Sequence, residues 1–154
     1  MTCRQISVSE WGEARMSEHK TVLVIDGQGG RIGKLLIEKI KASLPDEEII
    51  AVGTNSIATS NMIKGGAENA ATGENPVVAA CRYADIIVGP VGIVVADSLL
   101  GEVTPVMAAA VGQSRAVKIL IPMNRCEILV AGMSGTLTAG ELTDRAVDLI
   151  KEHI

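Results

Sequence analysis

The chain has 154 residues, a formal net charge of −4 and 47% hydrophobic residues, but only one Tyr, one Trp and no Phe. Nucleic-acid binding is not expected, because phosphate backbones are bound through clustered Lys and Arg, and single strands stack on aromatic side chains. A membrane span is not expected either, because no apolar run reaches the roughly eighteen residues that a spanning helix requires.

The cysteines and histidines argue against several kinds of catalytic site. Cys3, Cys81 and Cys126 lie far apart without a CxxC pair, and their odd number without a signal-peptide pattern predicts reduced thiols in a cytoplasmic protein. The two histidines, His19 and His153, lie near the chain ends. A zinc site or a Ser-His-Asp triad is therefore not expected, since each needs a histidine held inside the fold.

The first residues differ from the rest of the chain. Residues 1–19 are polar and aperiodic, and we interpret them as a loose N-terminal leader in which Met16 is an alternative start. Residues 20–154 are interpreted as a single domain, because a chain of this length leaves little room for a second core.

The pattern from Thr21 onwards alternates strands and helices. Thr21–Ile25 is a continuous run rich in β-branched residues, typical of a central parallel strand, and Arg31–Leu44 has apolar residues at a helical spacing. Further strands are predicted at Glu48–Val52, Asp85–Val88, Val117–Ile121 and Glu127–Val130, while residues 67–74 are ambiguous and could hold a short third strand. Further helices are predicted within residues 54–64, at Pro76–Tyr83, Ile93–Leu100 and Pro105–Val111, and from Thr138 to the end.

This order of elements defines the expected fold. Strands that alternate with helices across short connections form a parallel sheet covered by helices on both faces. We therefore predict an α/β, three-layer Rossmann-like fold with a mostly parallel sheet of five to six strands.

A glycine-rich turn lies between the first strand and the first long helix. Gly27, Gly29, Gly30 and Gly33 do not form a strict GxGxxG motif, because Ile32 stands at its last position. Glycines at this place permit a tight turn, leave room for a pyrophosphate and expose the N–H groups of the helix N-terminus. The turn is a candidate phosphate-binding loop, and the alternative is a tight strand-to-helix corner without a ligand.

Two resemblances accompany this turn. The string VIDGQGGRIGKLLIEKI, residues 24–40, resembles the first strand–helix unit of NAD(P)-dependent reductases of the dihydrodipicolinate reductase type, whose second, substrate-binding domain would not fit in this chain. The strings IDGQGG, GTNSIATSNM, ATGEN, ADIIVGPVGI, LGEVTP and ILIPMNRC resemble a bacterial family known only as a domain of unknown function. That second resemblance extends from about residue 20 to the end and implies a Rossmann-like fold without implying an activity.

The residues that follow the second strand do not specify a dinucleotide. An NAD-binding Rossmann fold has an acidic residue there that bonds the ribose hydroxyls, but residues 53–56 read Gly-Thr-Asn-Ser. The missing carboxylate argues against NAD, and the missing Arg weakens the argument for NADP. Asn55, Ser56 and Lys64 could still contact a 2′-phosphate, or Asn55 or Ser56 could simply cap the next helix. The cofactor is left unknown, with NADP or another nucleotide as candidates.

Ligands bind at the carboxyl edge of a parallel sheet, so the residues predicted there form the candidate site. The candidate ligand-binding residues are Asp26, Gly27, Gln28, Gly29, Gly30, Arg31, Gly33, Thr54, Asn55, Ser56, Glu74, Asn75, Gly89, Pro90, Asn124, Arg125 and Cys126.

Several of these candidates have an alternative reading. Asp26 could bond only the amides of its own turn, and Glu74 with Asn75 could cap the helix that begins at Pro76. Arg125 is either an anion clamp or a surface charge. Cys126 is either an activated thiol or a small buried side chain, whereas Cys81 is expected in the core.

Three hypotheses about function follow. The first is a nucleotide-binding module that holds a phosphate-bearing small molecule at residues 27–33. The second is a non-enzymatic oligomeric scaffold or regulator, and the third is a thiol-dependent enzyme that uses Cys126. Pro105–Val111 is apolar nearly all round, which predicts a homodimer or a larger homo-oligomer.

Overall fold

The computed structural model describes residues 19–123, 128–133 and 135–154. The predicted leader, apart from His19, lies outside this part of the chain. Among the described residues, no helix combines the length and the apolar character needed to cross a membrane.

The described residues form a five-stranded sheet with helices on both faces. In chain order the elements are β1 (Thr21–Asp26), α1 (Arg31–Ser43), β2 (Glu48–Gly53), α2 (Ser56–Lys64), β3 (Asn69–Thr72), α3 (Glu74–Ala80), β4 (Ile86–Pro90), a 3₁₀ turn (Val91–Val94), α4 (Pro105–Gln113), β5 (Val117–Ile121) and α5 (Ala139–Glu152). All strand pairs are parallel, and the strand order is β3-β2-β1-β4-β5. The predicted α/β, Rossmann-like fold is confirmed.

The central strand β1 supplies apolar side chains to both layers of helices. Val22 and Val24 belong to the cluster formed with α1, α2 and α5, while Leu23 and Ile25 belong to the cluster formed with α3 and α4. All four side chains are almost completely buried. A strand buried on both faces has no polar alternation, which is why β1 was recognisable as a continuous apolar run.

Helix α1 packs a stripe of apolar residues against the face of the sheet that carries Val22 and Val24. Ile32, Leu36 and Ile40 recur every four residues, and Ile37 widens the stripe. The stripe is buried against β1 and α5. Burying each of the larger side chains contributes about 1.5–3 kcal/mol relative to leaving it exposed, so tertiary packing holds this helix in place.

Three predicted elements differ in the structure. Helix α3 begins at Glu74 rather than at Pro76, because a proline is tolerated throughout the first turn of a helix, where its missing N–H has no intrahelical partner. The predicted helix Ile93–Leu100 is replaced by the 3₁₀ turn and irregular chain, since Asp97, Leu99 and Leu100 adopt positive φ. The predicted strand Glu127–Val130 is wrong for its described residues 128–130, which lie outside any strand.

Gly30 fixes the approach of the glycine turn to α2. Its φ is +68°, in the left-handed region, and a Cβ built on it would lie 2.5 Å from the Cα of Ala58. Gly29 has no such neighbour, because the nearest atom to its built Cβ is the Cγ of Arg31 at 3.8 Å. The turn is therefore packed against α2 at Gly30 and open at Gly29.

We predict that Gly30→Ala lowers the free energy of unfolding by about 2–4 kcal/mol, because the left-handed conformation and the contact with the α2 backbone are both penalised. Gly29→Ala is the matched control and should change that free energy by less than about 1 kcal/mol. Urea denaturation of both variants checks the prediction, and equal losses in the two would contradict this account of the turn.

Candidate ligand-binding site

A cleft of ≈ 1020 Å³ opens at the carboxyl edge of the sheet beside the glycine turn. It lies where β1 has β2 on one side and β4 on the other, the switch point at which open α/β sheets bind ligands. Residues 27–32 form one wall, and Pro90, Gly92 and residues 95–100 form another. Met123 and Ala139 complete the lining, so much of the surface is apolar.

Asp26, the last residue of β1, is hydrogen-bonded to the backbone of the glycine turn. Its two carboxylate oxygens accept hydrogen bonds from the amides of Gly27 at 2.8 Å and Gly33 at 2.7 Å. Burial raises the pKa of Asp26 to about 6, although bonds from the backbone of Gly33, Gly27 and Ile32 act in the opposite direction. The bonds to the amides of its own turn are thus present, and Asp26 also lines the cleft.

The amides of the turn divide into engaged and free donors. Those of Gly27 and Gly33 are engaged by Asp26, and that of Gly30 donates to the carbonyl of Gly27. The amides of Gly29 and Arg31 have no acceptor within the part of the chain that the structure describes. Both residues line the cleft, and Arg31 is the one cation among the described residues that do so.

A carboxylate that the local sequence did not indicate lies on the other side of the turn. Oε2 of Glu102 accepts hydrogen bonds from the amide of Gln28 at 2.7 Å, the hydroxyl of Thr54 at 2.6 Å and Nδ2 of Asn55 at 3.0 Å. Burial raises the pKa of Glu102, but these three bonds outweigh it, so its pKa lies below the ordinary value. Residues 53–56 supply no carboxylate, as their sequence indicates, but Glu102 from the segment after β4 places one at the end of β2.

The residues that follow β2 have mainly structural partners. Oδ1 of Asn55 accepts the amide of Ala58 at 2.9 Å and caps α2, which confirms the capping alternative. Its Nδ2 also donates to the carbonyl of Gln28 at 2.9 Å, which ties α2 to the glycine turn. Ser56 is the exposed first residue of α2. Thr54, Asn55 and Ser56 adjoin the turn without lining the cleft.

Other predicted residues are placed differently from the expectation. Glu74 accepts a hydrogen bond from the hydroxyl of Thr104 at 2.6 Å, which connects the first turns of α3 and α4. Gly73, not Glu74 or Asn75, occupies the N-cap of α3, so the capping reading is wrong in detail. Neither Glu74 nor Asn75 lines the cleft.

Gly89 and Pro90 were expected in the loop after the fourth strand, and that placement was wrong. Both are buried members of β4 and pair with Leu120 and Ile121 of β5. A Cβ on Gly89 would collide with the carbonyl oxygen of Ile25, so glycine is needed there for the approach of two strands. Pro90 ends the strand and lines the cleft.

The thiol and anion-clamp candidates cannot be placed in this geometry. Asn124, Arg125 and Cys126 lie outside the described residues. Cys81 is a buried member of the core, as expected, and burial raises the pKa of its thiol to about 11. Within residues 19–123, 128–133 and 135–154, no group of three or more His, Cys, Asp or Glu side chains could hold a metal ion.

The titration of Asp26 gives a pH prediction. Because its pKa of about 6 in the fold exceeds the ordinary 3.8, the fold binds a proton that the unfolded chain releases. This contribution to stability is complete below about pH 4 and is lost as the pH rises through about 6. The side chain of Asn in Asp26→Asn cannot titrate. The difference in unfolding free energy between the wild type and this variant should therefore rise, in favour of the wild type, by about 2 kcal/mol when the pH is lowered from about 7.5 to about 4.5.

Denaturant unfolding at several pH values measures this difference. Asp97→Asn, which neutralises an exposed carboxylate on the opposite wall of the cleft, serves as the control and should follow the wild-type profile. Parallel profiles for the wild type and Asp26→Asn would show that Asp26 is not protonated in this range.

Comparison with known proteins places this architecture in a family. The family model described as a domain of unknown function, DUF3842, matches residues 21–154. No curated protein and no solved structure is significantly similar to the chain. The matched segment includes every strand and helix around the cleft, and the chain therefore belongs to the DUF3842 family, a domain of unknown function.

Proposed function

We propose that this protein binds a phosphate-bearing small molecule in the cleft beside the glycine turn. The observation that carries the proposal is the pair of amides at Gly29 and Arg31, beside the guanidinium of Arg31 at the start of α1, which have no acceptor among the described residues. Unpaired N–H groups and the positive end of the helix dipole favour an anion at this position.

The local charge supports direct recognition of an anion. The first turn of α1 contains no acidic residue, and Gly29 has no side chain to stand between its amide and a phosphate oxygen. The carboxylates of Asp97 and Glu102 lie nearby, so the surrounding field does not attract anions in general. Binding would depend on hydrogen bonds to the amides and on the charge of Arg31.

The remainder of the cleft suits the organic part of such a ligand. Val95, Leu99 and Met123 form an apolar lining opposite the turn, and Pro90 adds to it. Ligand sites typically combine apolar walls with a few placed polar groups in about 300–1,000 Å³, and this cleft reaches the upper end of that range. A nucleotide, including NADP, fits this description.

The test of this proposal is a charge reversal at the turn. The wild type should be stabilised in a thermal-shift screen by at least one of ATP, NAD, NADP, coenzyme A or flavin mononucleotide at millimolar concentration. Arg31→Glu should weaken binding of that ligand by about tenfold or more, because a charge-assisted hydrogen bond is lost and a repulsion is added.

Arg82→Glu is the matched control for this experiment. Arg82 is exposed before β4, at the opposite edge of the sheet, so its reversal makes the same change in net charge away from the cleft. Calorimetric titration should give the same affinity for Arg82→Glu and the wild type. Absence of any stabilisation in the screen, or equal affinities for the two reversals, would refute the proposal.

A second candidate, an oligomeric scaffold or regulator, is favoured by the surface of α4. This helix contains no charged residue, and the side chain of Val106 is 51% exposed although Met107, Ala108 and Val111 are buried. We propose that copies of the chain associate through α4, because a neutral apolar helix surface gains from being covered by a second copy.

Sedimentation of two variants tests this association. Val106→Glu should convert oligomers to monomers, because it places a charge on the face that association would bury. Ile57→Glu is the control, since Ile57 is 64% exposed on α2, on the other side of the sheet. A monomeric wild type, or dissociation of both variants alike, would argue against assembly through α4.

A further inference from the structure

Three hydrogen-bond donors converge on one point at the carboxyl end of β2. They are the amide of Gln28, the hydroxyl of Thr54 and Nδ2 of Asn55, which we call the donor cluster. All three lie within 3.0 Å of Oε2 of Glu102. We propose that the donor cluster, which adjoins the ligand cleft, is a second anion-binding subsite, occupied in this structure by the chain's own Glu102. This inference rests on the proposed function and specifies a ligand with a second phosphate.

The chemistry of the donor cluster matches an oxyanion. Each member donates, and a phosphate oxygen accepts the same bonds as a carboxylate oxygen, with similar lengths. Burial raises the pKa of Glu102, yet the bonds from Gln28, Thr54 and Asn55 lower it overall, so the cluster stabilises a negative charge. A ribose hydroxyl can also accept from these donors, but a neutral oxygen makes weaker hydrogen bonds than the charged oxygen of a phosphate.

The donor cluster adjoins the first anion position. Gln28 belongs to the cluster and Gly29 offers one of the two free amides, and these residues are consecutive. A Cβ built on Gly27 would lie 2.7 Å from Oε2 of Glu102 and 2.8 Å from Cδ1 of Leu99, so both side chains cover this side of the turn. A ligand with two neighbouring phosphates could use both positions only by displacing Glu102.

The segment that carries Glu102 is suited to displacement. Asp97, Leu99 and Leu100 all have positive φ, although none of them is glycine, and Leu100 is 97% exposed. Such conformations cost of order 1 kcal/mol each and persist only where other contacts hold them. One of those contacts is the bond from Nε2 of Gln28 to the carbonyl of Leu99, which a ligand at the turn would compete with.

The second phosphate can come from two sources. One is a diphosphate, in which two phosphates lie side by side across Gln28 and Gly29. The other is the 2′-phosphate of NADP, because the end of β2 is where a Rossmann fold meets the ribose of a dinucleotide. The shared chemistry is a phosphate at the donor cluster, and the probes below separate its sources.

The experiment removes the internal carboxylate and measures anion binding. Glu102→Ala should bind inorganic pyrophosphate about tenfold more tightly than the wild type, because the donors no longer have to be released by an internal competitor. Asp97→Asn removes one negative charge from the same cleft without freeing the donors, and should tighten binding by about twofold at most. Titration calorimetry at fixed ionic strength measures all three affinities.

Two further arms identify the source and the donors. If the subsite takes a 2′-phosphate, Glu102→Ala should strengthen binding of NADP but not of NAD; if it takes a diphosphate, both should gain. Adding Thr54→Val to Glu102→Ala should remove most of the gain in affinity, because one donor is lost.

Circular dichroism verifies that the variants fold. If Glu102→Ala does not fold, Glu102→Gln should increase the affinity for pyrophosphate by about threefold, since an amide competes for the donors less well than a carboxylate.

The outcomes separate this inference from the proposed function. Tightening by Glu102→Ala no greater than that by Asp97→Asn would overturn the second subsite while leaving the first intact. A gain that survives Thr54→Val would also overturn it. The proposed function would instead be refuted if no variant binds pyrophosphate and no nucleotide stabilises the wild type in the thermal-shift screen.

Discussion

The structure around the cleft depends on the buried carboxylate of Asp26. Placed at the last position of β1, it accepts hydrogen bonds from Gly27 and Gly33 and thereby joins the end of the central strand to the first turn of α1. The amides of Gly29 and Arg31, on the cleft side, have no acceptor among the described residues. The carboxyl group of Asp26 thus orders the turn and removes two of its amides from the donors that a ligand could use.

The turn is held from the side of α2 as well. Gly30 packs directly on the backbone of Ala58, Nδ2 of Asn61 donates to the carbonyl of Gly29 at 2.6 Å, and Nδ2 of Asn55 donates to that of Gln28. A turn fixed by three contacts with α2 and its N-cap presents its amides in one arrangement, so little conformational entropy would be lost when an anion binds. Positive φ at residues other than glycine occurs both in the turn, at Gln28, and in the covering segment 95–102, at Asp97, Leu99 and Leu100.

The two sides of the turn thus have different chemistry. Among the described residues, the side towards β4 combines amides without an acceptor, one cation and an apolar wall. The side towards β2 has donors that the chain's own carboxylate already engages. Membership of the DUF3842 family brings no activity with it, so these local arrangements are the physical basis for the proposals. They favour a ligand recognised by its phosphates, with an organic part held against Val95, Leu99 and Met123.

The sequence by itself determined the elements that depend on neighbouring residues. The buried run of β1, the glycine turn and the stripe of α1 are local patterns, and all appear in the structure. Only the tertiary structure placed Glu102 on Gln28, because 74 residues separate them and no spacing rule predicts contacts made through sheet topology. It also decided that Gly89 and Pro90 extend β4, since pairing with β5 and the contact with Ile25 outweigh the usual role of Gly-Pro as a strand end. Local chemistry specified the turn, and long-range packing specified which of its donors are free.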